Sequence, residues 1–453
     1  MTQIFALHSA YGLATAAAAI DEGLLGDGTD RLLVPFVSAR VPEIVTGIGA
    51  DPSLRSLRDR FDRVEDLDAL LGPLHPSGWE PPVADLPMLE RLFTRAWGID
   101  PDGLELFVQS HQVAPARTLM SLFPRARITI VGDGLMTYSP MRVPLGHGVT
   151  RRITRVVHAD VVPGVVPLVG APVAASVPVR AAALRRVLAE TDDGAPVVDD
   201  DGHRLDDGAP TVVVLGQYLS ALGLVSAREE IALQRDLVDR AATWGPARIV
   251  FKPHPAAPPM QTDAVRERVL SHGAEFAVYR GALAAELLAV RVDARAVVAA
   301  FSTALPTVRA VHGTEIGSAG AAMLLGRLAP YENSNRVPLT IVDALTRDDS
   351  PYTDPARLQH LVDAVGYAMQ PEIAGHLRSR AVGLLRDLPP AERDRYFDPA
   401  RLRDLRLPGA APEGMLRRAL RSAGGTGRIE ELRLTAIGAR SRAGRAWRAI
   451  RGR

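Results

Sequence analysis

Short apolar runs that stop abruptly at small or polar residues recur along this chain, and stretches with helical spacing separate them. Residues 4–7 run into His8-Ser9-Ala10-Tyr11-Gly12 and then an Ala-rich segment over 13–20. Residues 31–37, 104–109 and 126–131 repeat the pattern, and after an interval so do 211–215, 248–251, 275–278 and 296–300. Strands alternating with helical segments predict a parallel sheet covered by helices. Residues 52–100 carry charged and apolar positions at helical spacing, with a Pro-rich break over 74–87, and 357–388 reads as one or two long helices. Residues 161–179 are rich in Pro, Val and Gly, and 191–207 form a polar, acidic stretch, so a domain boundary is expected there. The expected architecture is α/β: two successive Rossmann-like cycles, 1–185 and 208–390, facing each other across a cleft, followed by a basic tail over 399–453.

Length agrees with this division, since 453 residues at roughly 100–200 per domain make two or three domains with ample core. The apolar share of 47% and charged share of 23% are those of a soluble globular protein. A formal net charge of +1 gives no global reason to expect a nucleic-acid partner. Zero cysteines exclude disulfides, thiolate metal sites and a cysteine nucleophile. No metal-ligand spacing is apparent. The N-terminus lacks a basic segment before a long apolar core, so it reads as a first strand and not a signal peptide. No stretch of about 18 apolar residues is present to span a membrane. A cytoplasmic protein is expected.

Three polar clusters fall where an apolar run ends. The first is Gly132-Asp133-Gly134, after residues 128–131. Its glycines permit a tight turn and close approach of a substrate, and a lone carboxylate there can act as a general base. A turn aspartate bonded to its own backbone is the plainer alternative. The second is Lys252-Pro253-His254-Pro255, where proline ends the ladder and delivers one cation and one imidazole in stiff backbone. Such a pair suits a phosphate, although a solvated strand exit would look the same. Lys252 is the only lysine in an arginine-rich chain, which favours a specific role. The third is Ser302-Thr303, two hydroxyls at the mouth of a helix, an anion site or simply a helix cap.

Taken in this order, the three clusters resemble the signatures of bacterial GT-B sialyltransferases: an acidic-acidic-Gly motif, a His-Pro motif and a paired Ser/Thr motif. The pattern is most similar to the bacterial α-2,8-polysialyltransferase-like family, over roughly residues 1–390. The resemblance implies a GT-B fold and transfer of sialic acid, or a related nonulosonic acid, from a CMP-sugar donor to a glycan acceptor, in capsule or surface polysaccharide synthesis. It implies that Asp133 is the base on the acceptor hydroxyl and that His254 meets the CMP phosphate as acid or electrostatic stabiliser. Lys252, Pro255, Ser302, Thr303 and Gly134 fall on the donor side. Glu286 stands where related enzymes place a carboxylate on the ribose hydroxyls, with a surface helix residue as the alternative. His8, Tyr11 and His111, at strand ends of the first half, could meet the acceptor or donor sugar, or serve the core and loops.

One position departs from that pattern: Gly132 stands where the first acid is expected. With one base and no second carboxylate as nucleophile, a single displacement with inversion is expected. Four donors or cations around one phosphate make a metal or other cofactor unnecessary. A GT-B transferase using another CDP- or CMP-activated donor, of the polyol-phosphate polymerase type, is a rival that Asp133 argues against. A non-catalytic GT-B-like scaffold is a second, and the nucleotide-side residues argue against it. In the tail, Met415, Leu416, Ala419 and Leu420 sit among arginines, as do Trp447 and Ile450. Such a segment can lie peripherally on the inner face of an anionic membrane, or remain solvated.

Overall fold

The computed structural model describes residues 1–26, 28, 30–39, 46–221, 223–254 and 257–410. The chain divides into two compact units, Met1–Asp398 and Pro399–Arg453. The first holds two all-parallel sheets. Strands β1 (Thr2–Leu7), β2 (Asp30–Pro35), β3 (Arg63–Val64), β4 (Leu104–Val108), β5 (Arg127–Val131), β6 (Ile153–Ala159) and β7 (Ala175–Val179) lie in the order β3-β2-β1-β4-β5-β6-β7. Strands β8 (Thr211–Leu215), β9 (Arg248–Lys252), β10 (Glu275–Val278), β11 (Ala294–Val298) and β12 (Glu315–Gly317) lie in the order β10-β9-β8-β11-β12. Of the second unit, the helix Pro399–Asp404 is described. The remainder of the tail, including Met415, Leu416, Ala419, Leu420, Trp447 and Ile450, lies outside the described residues, as does Pro255.

The two sheets share a logic. Strand order reverses between β1 and β4 in one, and between β8 and β11 in the other. At such a reversal the loops that follow neighbouring strands leave toward opposite faces, and a crevice opens at the carboxyl ends. The central strands are largely apolar because helices cover both faces: every residue of β4 and of β8 is buried. Phe5 of β1 stacks on its register partner Phe107 of β4 with ring centroids 4.2 Å apart. The one acid in β4, Glu105, is paid for by Thr129 of β5, which donates at 2.8 Å, and Arg155 of β6 at 2.9 Å.

Several elements differ from the sequence expectation. Residues 175–179 fall in the stretch assigned to a domain boundary, yet they form edge strand β7, paired in parallel with β6. Pro178 is tolerated there because an edge strand does not need every N–H. Strands β3, β6 and β12 are also additional to the expected set. The region over 357–388, expected as one or two long helices, does agree: it is two, Pro355–Met369 and Arg378–Asp387.

The C-terminal helices return to the first sheet's side. The Gln359 side chain accepts from Val166 N–H at 2.5 Å and donates to its carbonyl at 3.3 Å. Ser139 Oγ donates to the Ser334 carbonyl at 3.0 Å. Within this layer Asp343, buried on the helix Arg336–Thr346, accepts from Arg395 Nε and Nη2, both at 2.6 Å, and from Tyr396 Oη at 2.7 Å. Removing one partner of such a cluster leaves the others desolvated, a loss of roughly 3–5 kcal/mol for fully buried pairs. Arg395 retains 26% side-chain exposure and can turn to water, so the smaller figure applies. Asp343→Ala is expected to lower unfolding free energy by about 3 kcal/mol in denaturant titration, with Asp343→Asn intermediate because it keeps an acceptor.

Candidate active site

The carboxyl ends at the first reversal are joined by one side chain. Gln109, fully buried just past β4, accepts from the His8 and Ser9 N–H groups at 3.1 and 3.3 Å. Its Nε2 donates to Ser9 Oγ at 2.7 Å and to Asp133 Oδ1 at 3.1 Å. Asp133 itself caps a short 3-10 turn, Gly134–Tyr138, and its N–H donates to Thr137 Oγ1 at 2.7 Å. Its side chain is not consumed by its own backbone, unlike that of a simple turn aspartate. With His111, Thr137, Met136 and Arg142 it lines a cavity of about 180 Å³. Sequence reasoning ended a strand at Gln109 without giving it a role; a buried amide at a strand end was the available signal.

His8 lies beside this carboxylate, Nε2 2.9 Å from Ser110 Oγ and Nδ1 3.2 Å from Ser38 Oγ. Burial lowers its pKa, and the charge on Asp133 opposes that shift. His111 is pushed down to about 4 by burial and by Arg142. At neutral pH it is an uncharged wall of the cavity and not a cation.

At the other sheet, Gln217 beyond β8 clamps the backbone of Phe301, accepting from its N–H at 3.0 Å and donating to its carbonyl. This fixes Ser302 and Thr303 ahead of the helix Ala304–His312. Ser302 Oγ accepts from Ala304 N–H at 3.2 Å, and Thr303 Oγ1 accepts from Leu135 N–H, across the two halves, at 3.3 Å. Both hydroxyl oxygens are thus held as acceptors, and neither donates its own proton within the described residues. Gly134, at φ 52°, makes the crossing contact sterically feasible: a Cβ there would sit 2.5 Å from Thr303 Oγ1.

Lys252 ends β9 half-buried. Its Nζ donates to the Gly281 carbonyl at 3.0 Å and lies 4.8 Å from the Tyr279 ring centroid. Burial pulls its pKa down, and Glu286 partly restores it. Glu286 is buried in the first turn of the helix Ala285–Arg291, and desolvation pushes its carboxyl up. With Tyr11, Tyr279, Asp193, Leu57 and Leu188 it lines a second cleft, of about 420 Å³, between the halves. The Tyr11 hydroxyl is buried there near Thr307, and burial raises its pKa. His254 is exposed, its ring 6.3 Å from that of Tyr218. The structure therefore sets Thr303 directly against the Gly134–Leu135 turn that follows Asp133, and groups Lys252 with Glu286 and Tyr11. Lys252, His254, Ser302 and Thr303 line neither of the two cavities.

Gly132 has no space for a side chain. A Cβ would lie 2.8 Å from both His158 Cβ and Thr137 Oγ1, and 3.2 Å from His158 Cα. The missing first acid is thus matched by packing against β6.

Two facing, doubly wound parallel domains with the site at their strand ends constitute the GT-B glycosyltransferase architecture. The chain belongs to the alpha-2,8-polysialyltransferase (POLYST) family, whose model matches residues 3–316, and it is a glycosyltransferase. No curated protein matches its sequence. Solved structures resemble it at low identity. The GT-B domain of a Photobacterium damselae sialyltransferase is 11% identical, with TM-score 0.37, covering 77% of this chain and 99% of that one. A Neisseria meningitidis UDP-GlcNAc 2-epimerase bound to UDP-GlcNAc is 8% identical, with TM-score 0.42, covering 84% and 94%. Acinetobacter baumannii MurG is 12% identical, with TM-score 0.32, covering 84% and 98%.

Gly132→Asp, which would restore a paired acid, is expected to destabilise by about 1–3 kcal/mol from overpacking alone, read as a lower denaturation midpoint. A second expectation concerns acid. His158 is also pushed down to about 4 by burial, against an ordinary 6.5. Between about pH 6.5 and 4 the unfolded chain binds protons that folded His111 and His158 refuse. Stability therefore falls as pH falls through that window, by about 1.4 kcal/mol per pH unit for each imidazole. Denaturant titrations at pH 7, 6 and 5 check this, and His158→Gln should make the dependence shallower.

Proposed function

We propose that this enzyme transfers sialic acid, or a related nonulosonic acid, from a CMP-activated donor to a glycan acceptor, by single displacement with inversion and without a metal. The observation that carries the reading is the hydrogen bond from Leu135 N–H to Thr303 Oγ1. It sets the base-bearing turn of one sheet against the hydroxyl pair of the other, so that a sugar between them would meet both.

In this reading Asp133 takes the proton of the acceptor hydroxyl as its oxygen bonds to the anomeric carbon. The bond from that carbon to the phosphate oxygen breaks, and CMP leaves. Ser302 and Thr303 donate their hydroxyl protons to the phosphate, His254 adds a donor at the exposed side, and Lys252 contributes charge. Hydrogen-bond donors placed where negative charge develops act on the transition state more than on the ground state. Glu286 accepts from the ribose hydroxyls in the second cleft. Its volume of about 420 Å³ is in the range of small-molecule sites. No helix among the described residues is long and apolar enough to cross a membrane. Reaction at the cytoplasmic face, with the basic tail against the inner leaflet, completes the proposal.

Isothermal titration with CMP, without added metal, tests the donor side. Wild type and Asp133→Asn are expected to bind alike, whereas His254→Ala should bind roughly 10- to 100-fold more weakly, the loss of one charge-assisted hydrogen bond. Asp133→Asn should abolish transfer. Absence of CMP binding by the wild type would overturn the donor assignment.

A further inference from the structure

We infer that Gln109 is a positioning residue, whose side-chain amide holds the Asp133 carboxylate in the orientation that meets the acceptor. The inference rests on Asp133 acting as the base, and Gln109 acts only through it.

Three observations converge. All the hydrogen-bonding work of the amide is assigned: two backbone N–H groups on Oε1, and Ser9 Oγ and Asp133 Oδ1 on Nε2. The amide therefore has one allowed orientation, since a flipped group would set Oε1 against the carboxylate and Nε2 against two N–H donors. The fold also leaves room for it. A Cβ on Gly12 would come within 2.5 Å of Gln109 Oε1, so the first turn of the helix Ala10–Asp21 has to be bare at that point. Finally, the side chain joins residues that follow three adjacent strands, β1, β4 and β5, at the reversal of strand order. A carboxylate tied to that point inherits the rigidity of the sheet centre. Misplacement of a reacting group by about 1 Å costs on the order of 100-fold in rate.

A swap distinguishes this contact from general core packing. Gln109→Glu keeps acceptors for the His8 and Ser9 N–H groups but faces Asp133 with an oxygen. Asp133→Asn in the same chain returns an amide opposite a carboxylate with the positions exchanged. The single variant Gln109→Glu should lose thermal stability, and the double variant should recover most of that loss, a non-additive cycle expected only of groups in contact. Additive midpoint shifts would overturn the inference, and this readout does not depend on activity.

In donor-consumption kinetics, Gln109→Glu should lower kcat roughly 100-fold while the KM for the CMP-sugar stays within about twofold, because the donor site is on the other sheet. A wild-type kcat, or a loss expressed mainly in KM, would overturn it. Side-chain amide NMR of the folded wild type supplies a check free of folding defects in Gln109 variants. The Gln109 Nε2 resonances should move in Asp133→Asn and stay in place in His254→Ala; no movement in Asp133→Asn would also overturn the inference. Full transfer by Asp133→Asn would instead sink the base assignment, while the stability cycle would still report on the contact.

Discussion

Thr303 reaching the Gly134–Leu135 turn is the interaction on which the site depends. Each sheet independently makes a crevice where its strand order reverses. A hydroxyl from one half accepts a backbone N–H from the other, and this sets the Asp133 turn against the Ser302-Thr303 pair. The contact demands a residue without a side chain at 134 and a backbone at positive φ, which L-residues with a Cβ rarely adopt. With the oxygen engaged by Leu135 N–H, the proton of Thr303 has no acceptor among the described residues.

Around that contact the charges are arranged by burial as much as by pairing. His111 and His158 are kept neutral by desolvation. Lys252 and Glu286 are both desolvated and lie within each other's field, so each favours the other's charged form against the cost of burial. The chain's one lysine thus sits where its strength depends on a neighbouring carboxylate, whereas an arginine would stay charged regardless. Tyr11 extends the arrangement, with a buried hydroxyl in a cleft between the halves.

The frame that holds the halves in register is built by the C-terminal helices. Gln359 grips the Val166 backbone from both sides, and Gly366 packs against Leu168, where a Cβ would clash. The Asp343–Arg395–Tyr396 cluster ties these returning helices to one another. Segments nearly two hundred residues apart in sequence thereby bear on the loops next to Asp133.

The sequence by itself determined the alternation of strands and helices, because buried parallel strands must be continuously apolar and their ends must break at glycine, proline or a hydroxyl. That sufficed to place Asp133, Lys252, His254, Ser302 and Thr303 at strand ends. Strands β3, β6, β7 and β12 were not legible: β3 and β12 are very short, β6 is interrupted by charge, and β7 carries proline at an edge where only tertiary context excuses it. The roles of Gln109 and Gln217 were equally hidden, since a buried amide is indistinguishable from a surface one until its partners arrive from distant segments. So was the reason for Gly132, which lies in the side chain of His158 on a strand the sequence did not announce. Which strand ends touch, and which glycines had to be bare, was decided only by tertiary structure, because excluded volume between non-adjacent segments leaves no periodicity in the chain.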